Sequence, residues 1–198
     1  MANICITSYV FEGPAGSLGK LAGKLDEAVG MNDLGGRKEW TLATLVRVLG
    51  KDPEQYICKG DYSRNDIGLD LEKGCLTLTV ESPWSRSDEV EDLIRKAFPD
   101  LLLWFCEEES GMGIFVTNDP DERLFGHVIV DVENVDMEYY RKADSVTKIT
   151  ALLDEAGFPH PEAGTVEDIL PAVEAYNDAL DEGIRSGHHI WVTVAEVE

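Results

Sequence analysis

The residues of this 198-residue chain best suited to chemistry are its clustered acids. Glu107, Glu108 and Glu109 close an apolar run just before a turn, and Asp119, Asp121 and Glu122 follow on the next segment. Carboxylates gathered at strand ends are the ligands that Mg²⁺ or Ca²⁺ selects. Alternation along a strand points Glu107 and Glu109 to one side and Glu108 to the other. The two groups lie at opposite ends of an antiparallel pair. About seven residues at ~3.3 Å each separate them by ~20 Å, so they do not form one site. Two smaller sets remain open: Asp131 and Glu133 with Glu107 and Glu109, or Asp100 with Asp119 and Asp121. The competing reading is a solvated strand edge, where charge discourages edge-to-edge pairing. That reading is adopted, and no metal or other cofactor is expected. Asn118–Glu122 lacks the spacing of an EF-hand loop.

Other chemistries have less support. His127, His160, His188 and His189 form no HExxH pattern, and the adjacent pair His188-His189 would face opposite ways on a strand. No GxSxG, GxGxxG or GxxxxGK[ST] occurs, and Gly111-Met112-Gly113 reads as a turn. The four cysteines, Cys5, Cys58, Cys75 and Cys106, lack paired spacing and read as buried free thiols. Trp104 and Trp191 fall in strand-like runs and are expected in the core. Trp84, in Ser82-Pro83-Trp84, is either an exposed anchor for a partner or, by preference, packed beneath its loop.

The charge pattern narrows the classes of partner. Net charge is −22, and residues 1–66 hold nine acids and eight bases. Nearly all of the excess therefore belongs to residues 67–198. Such a surface repels nucleic acid and anionic lipid and favours a basic protein. A signal-peptide pattern and a run of ~18 apolar residues are both missing, so a cytoplasmic protein without a membrane partner is expected. An apolar content of 43% is globular usage.

The elements that must position these residues are legible in order. A strand is predicted over 3–11. A helix follows over 17–29, with Ser17 as cap and Gly30 as stop, and a second over 41–49. Period-two runs at 67–71 and 76–80 predict a hairpin across Lys73-Gly74. Residues 87–98 form the clearest helix, with acids in the first turn, Arg95 and Lys96 in the last, and Pro99 beyond. Strands are predicted at 101–108, 112–118 and 125–132, with a turn at Ser110-Gly111 between the first two. Helices are predicted at 145–156 and about 166–185, and a final strand at 189–197. Thr165 and Asp168 match a capping box, while Pro171 conflicts with an uninterrupted helix. The expected class is α+β, an antiparallel sheet with helices on one face. A ferredoxin-like βαββαβ core with added strands would fill residues 1–135, and a helix-helix-strand extension residues 136–198.

Several local patterns resemble one family. They are Met-Ala-Asn-x-Cys at residues 1–5, Glu81-Ser82-Pro83-Trp84 closing a strand, Phe98-Pro99-Asp100-Leu101 closing a helix, and Glu108-Glu109-Ser110-Gly111-Met112-Gly113 before a strand. Together they are similar to the YubB-type family of bacterial plasmid, phage and integrative-element proteins, over about residues 1–130. The resemblance implies a mobile-element origin and a ferredoxin-like domain, and it brings no activity or catalytic residue. The expected function is a non-catalytic binding protein that uses an acidic surface against a basic partner, in its sharpest form a nucleic-acid mimic. The alternatives are a carboxylate-based metal-dependent enzyme and a small-ligand sensor. Trp84, Glu107, Glu108, Glu109, Asp119, Asp121 and Glu122 form the candidate interaction surface.

Overall fold

The computed structural model describes residues 3–34, 39–109, 111 and 113–198. Two compact units are present, residues 1–118 and 119–198. Among the described residues no helix is long and apolar enough to cross a membrane.

The first unit is built on strands β1 (Ile4–Glu12), β2 (Ile67–Asp70), β3 (Cys75–Pro83), β4 (Leu102–Glu109) and β5 (Ile114–Thr117), with helices α1 (Ala15–Leu34), α2 (Thr41–Val48) and α3 (Asp88–Ala97). The strands lie in the order β2-β3-β1-β4-β5, and every neighbouring pair is antiparallel. The first four reproduce the strand arrangement of a split βαβ fold. Alternation sends Tyr9, Phe11, Leu76, Leu78, Val80, Leu103 and Phe105 to one face. There they bury with Leu18, Leu21 and Leu25 of α1, Leu45 and Val46 of α2, and Val90, Leu93 and Ile94 of α3. Each such side chain contributes ~1.5–3 kcal/mol on burial. The α+β class, the antiparallel sheet and the one-sided helices are thus as expected.

Two boundaries differ from the sequence reading. Ser17 does not cap α1, which starts at Ala15; its hydroxyl instead donates to Asp100 Oδ2 at 2.5 Å. Gly30 does not end α1, which runs on to Leu34. One glycine inside a helix costs only ~1 kcal/mol, and the buried leucine face of this helix outweighs it. The expected turn at Ser110-Gly111 and the Met112 position fall partly outside the described residues.

The second unit holds strands β6 (Val128–Val132), β7 (Asp136–Tyr140) and β8 (Ile190–Val194), helices α4 (Lys142–Glu155) and α5 (Val166–Asp181), and a short strand β9 (Glu196–Val197). Here the expectation that the segment 125–132 widens the first sheet is corrected. Strand β6 is the centre of a separate antiparallel sheet, β7-β6-β8. Strand β7 has no sequence signature, because its residues Asp-Met-Glu-Tyr-Tyr carry acids where an apolar alternation would be looked for. Asn134 makes the β6–β7 turn at φ +58°, a conformation that asparagine tolerates. Val128, Val130 and Ile190 bury against Ile149, Leu153, Val166, Ile169, Val173 and Tyr176.

Helix α5 settles the conflict at Pro171. The Thr165–Asp168 capping box is formed at both of its bonds, so the helix begins at Val166 and encloses the proline. Pro171 is exposed and cannot donate to the carbonyl of Glu167. Replacement Pro171→Ala should therefore raise the thermal midpoint, with an upper bound of ~3 kcal/mol. A scanning-calorimetry midpoint that stays the same or falls would show that the helix does not need that bond.

Candidate functional site

Glu107 and Glu109 face the helix side of the sheet and are 4% and 2% exposed. The solvated-edge reading is therefore corrected for these two; only Glu108, on the opposite face, is half-buried. A buried carboxylate needs a charge partner, and Arg86 supplies it to Glu107. Its Nη1 donates to Glu107 Oε2 at 2.8 Å, and its backbone N–H donates to Glu107 Oε1 at 2.9 Å. Its guanidinium also lies 3.8 Å over the Phe105 ring. Its Nε stands 3.2 Å from Glu91 Oε1 and 2.9 Å from Asp88 Oδ1. Cys5 donates its thiol to Glu107 at 3.2 Å, and the Tyr9 hydroxyl donates to Glu91 at 2.9 Å. Glu109 Oε1 accepts the Gly111 N–H at 3.1 Å.

These contacts shift proton affinities in definite directions. Burial, reinforced by Glu107, pushes the Cys5 thiol up to about 12, so it is not a thiolate nucleophile at neutral pH. Burial pushes the Tyr9 phenol well above its ordinary value. Burial likewise pushes the Glu91 carboxyl up to about 7, against the opposing pull of Arg86 and the Tyr9 hydroxyl. The cavity beside Tyr9, Ser87 and Glu91 is only about 10 Å³, room for one water at most. The cluster is a scaffold rather than a substrate site.

What the scaffold holds is the turn from Ser82 to Ser87. The Trp84 N–H donates to the Asn3 carbonyl at 3.0 Å, and the Ser82 hydroxyl donates to the Ser85 carbonyl at 2.8 Å. The Ser87 hydroxyl donates to the Ile57 carbonyl and also accepts the Val90 N–H that caps α3. Held this way, Trp84 adopts φ +76° and is 54% exposed. Its preferred reading as a side chain packed beneath the loop is thus corrected. A non-glycine residue at positive φ costs ~1–2 kcal/mol and persists only where its surroundings fix it.

A groove of about 270 Å³ lies beside this turn, lined by Ile4, Trp40, Asp61, Glu81, Ser82 and Pro83. Ile4 is 60% exposed and Trp40 is 41% exposed. Asp61 and Glu81 exchange both backbone hydrogen bonds, at 2.8 and 2.9 Å. Asp61 Oδ1 accepts the Thr41 N–H and hydroxyl, each at 3.0 Å. Side chains also close on Gly60 beside it. A Cβ there would stand 2.8 Å from Leu42 and 3.0 Å from Val80. Sequence reading missed the groove, although Glu81 at an outward position of β3 and Trp40 just ahead of α2 were available signals.

The second acidic group belongs to the other unit. Asp119 is buried and accepts the N–H groups of Leu124 at 2.6 Å and Phe125 at 3.1 Å. Asp121 is exposed. Glu122, at φ +52°, accepts the Lys142 N–H at 2.9 Å and lies 3.6 Å from His127 Nδ1. Asp119 and Glu122 thus shape a loop. Asp131 and Glu133 belong to this unit and Glu107 and Glu109 to the first. Among the described residues no group of three or more His, Cys, Asp or Glu could hold a metal ion. Trp191 was expected in the core but is 46% exposed, stacked on His189 with ring centroids 5.5 Å apart. Trp104 is half-buried and donates to Glu12 at 2.8 Å.

The charge of this unit collects on α5. Residues 119–198 hold nineteen acids and five bases, a net of −14. Glu167, Glu174, Asp178, Asp181 and Glu182 are all exposed. At 100° per residue they fall on one face, opposite Val166, Ile169, Val173 and Tyr176. The row is ~22 Å long. Its last turn carries no base. Among the described residues no Lys or Arg pairs with any of the five, and Asp181 alone lies beside a histidine, 2.9 Å from His189 Nε2.

The first unit is thus an α+β split βαβ domain and the second a smaller α+β unit. No family model matches the sequence, and no curated protein and no solved structure matches the chain.

Two outcomes test the scaffold. Glu107→Ala removes both hydrogen bonds that fix the half-buried Arg86, with Asp88 and Glu91 still beside it, and should lower stability in urea denaturation by at most ~3–5 kcal/mol; an unchanged midpoint would remove Glu107 from this role. Glu91 gives a pH dependence whose sign is fixed. Its folded value of about 7 lies above the ordinary 4.5, so between those values the folded chain holds a proton that the unfolded chain has released. Its contribution is full below about 4.5 and is lost as pH rises to about 7, by on the order of 3 kcal/mol. Glu91→Gln should flatten that slope; parallel wild-type and variant curves would refute the assignment.

Proposed function

We propose that this chain is a non-catalytic binding protein that engages a basic protein partner through an acidic surface. The observation that carries this reading is the acidic row of α5. Asp178, Asp181 and Glu182 sit at the C-terminal end of the helix, where the macrodipole favours cations. Glu174 and Asp178, and Asp178 and Glu182, are like-charged pairs at i,i+4, each destabilising by ~0.2–0.5 kcal/mol. A solubilising coat does not need acids where the helix opposes them, whereas a basic partner supplies the missing counter-charge. The net −14 of this unit adds long-range attraction that speeds encounter with a cationic protein. The exposed Trp84 of the first unit adds the kind of aromatic anchor that dominates binding energy at interfaces.

In its sharp form the reading is a nucleic-acid mimic, with carboxylates replacing phosphates on a nucleic-acid-binding protein. The quadruple variant Glu174→Gln, Asp178→Asn, Asp181→Asn and Glu182→Gln tests the general form. Wild-type chain immobilised in bacterial lysate should retain discrete basic proteins at low salt and release them as salt rises. The variant should lose them while being at least as stable thermally. Retention of the same proteins by the variant would overturn the reading. Displacement of the captured protein by added duplex DNA would mark the mimic form.

A further inference from the structure

We infer that the groove beside the Ser82–Ser87 turn receives one lysine or arginine side chain of a basic partner; the class of partner rests on the reading above, whereas the groove is an independent observation. Three features point to a cation with an apolar stem. The first is the Asp61–Glu81 pair. The reciprocal hydrogen bonds at 2.8 and 2.9 Å make them directly opposed across an antiparallel bridge. Such a pair puts Cβ atoms ~4.5–5.5 Å apart, and like charges so placed are destabilising. Among the described residues no Lys, Arg or His forms an ion pair with either. Asp61 Oδ1 is satisfied by Thr41, and this fixes its carboxylate, while Glu81 is exposed. A bound cation would relieve the repulsion.

The second feature is the wall. Ile4, Trp40 and Pro83 line the same groove, and Ile4 and Trp40 leave much of their apolar surface in water in the free chain. Lysine and arginine lay their methylene stems on such apolar surface while the charged head stays with its partners. An indole face also attracts a cation, by ~0.5–2 kcal/mol. The third feature is size. A volume of about 270 Å³ falls just below the ~300–1,000 Å³ of small-molecule sites, which suits one long side chain rather than a cofactor. Rigidity adds to this: the Trp40–Thr41 end of α2 is tied to Asp61, and the Leu42 N–H donates to the Gly60 carbonyl at 3.0 Å. The groove therefore needs little ordering on binding.

The test uses the full chain and three probes: N-acetyl-arginine N-methylamide, its lysine counterpart, and its uncharged norleucine counterpart. Amide and indole shifts are followed by ¹H–¹⁵N correlation spectra. Saturable shifts at Ile4, the Trp40 indole and Glu81 are expected with the cationic probes and not with norleucine. The stronger of the two cations identifies the preferred side chain. Glu81→Gln should weaken the cationic probes about tenfold, or ~1.4 kcal/mol, and Trp40→Ala should abolish the saturable shifts. Equal response to norleucine, or cation-induced shifts confined to α5, would overturn the inference. The lysate capture separates the two claims. If Glu81→Gln leaves capture intact while the α5 variant loses it, the groove is not the partner's site and the binding reading stands. If the α5 variant keeps its partners, that reading falls, and the probe titration still decides the groove.

Discussion

The half-buried Arg86 is held between Glu107 of β4 and Glu91 of α3, and the geometry of the first unit's surface follows from that fact. A guanidinium taken out of water must be matched by charge, and any partner left behind would be a buried charge of its own. Glu107 answers with both oxygens, one to the side chain and one to the backbone N–H of Arg86. The backbone contact matters more for shape than the ion pair does, because it fixes where the chain turns between β3 and α3. Glu91 and Asp88, in the first turn of α3, then bring the helix down over the same guanidinium. With both ends of the turn pinned, its middle has little choice, and Trp84 is held in a backbone conformation that it would otherwise avoid.

The acids of this chain accordingly serve two physical ends. Glu91, Glu107, Glu109 and Asp119 are buried or nearly so. Their hydrogen bonds to Tyr9, Arg86, Gly111, Leu124 and Phe125 organise local backbone and packing. The row on α5 and Glu81 are exposed, and Glu81 stands opposite the half-buried, Thr41-bonded Asp61. A net charge does not distinguish these roles, since both count equally in the −22.

Much of the fold was legible in the residues for plain reasons. Period-two alternation in Cys75–Pro83 and the capped, dipole-matched pattern of Asp88–Ala97 are strong local signals, and both elements lie where the pattern placed them. The Thr165–Asp168 box fixed the start of α5 despite Pro171. What failed was of two kinds. Strand β7 is a polar edge strand, held by its pairing with β6 rather than by a pattern of its own. The segment 125–132 reads as a strand in any sheet, because alternation shows that a face is buried and not which partner buries it. The site was harder still. Alternation puts Glu107 and Glu109 on the side of Leu103 and Phe105, which packs against the helices, but the charge partner that lets Glu107 be buried there is Arg86, 21 residues away in sequence. Trp84 was singled out as a candidate anchor; its exposure rests on hydrogen bonds to Asn3 and between Ser82 and Ser85.

All four cysteines fall in residues 1–118, and none in residues 119–198. Their environments are graded: Cys5 is fully buried and bonded to Glu107, Cys58 is buried, and Cys75 and Cys106 are partly accessible. With no exposed surface and a raised proton affinity, Cys5 is shielded from alkylation while its burial lasts, whereas Cys75 and Cys106 are accessible without any opening. The four thiols thus form a graded set of chemical labels confined to the first unit, with Cys5 the one that reports loss of its packing.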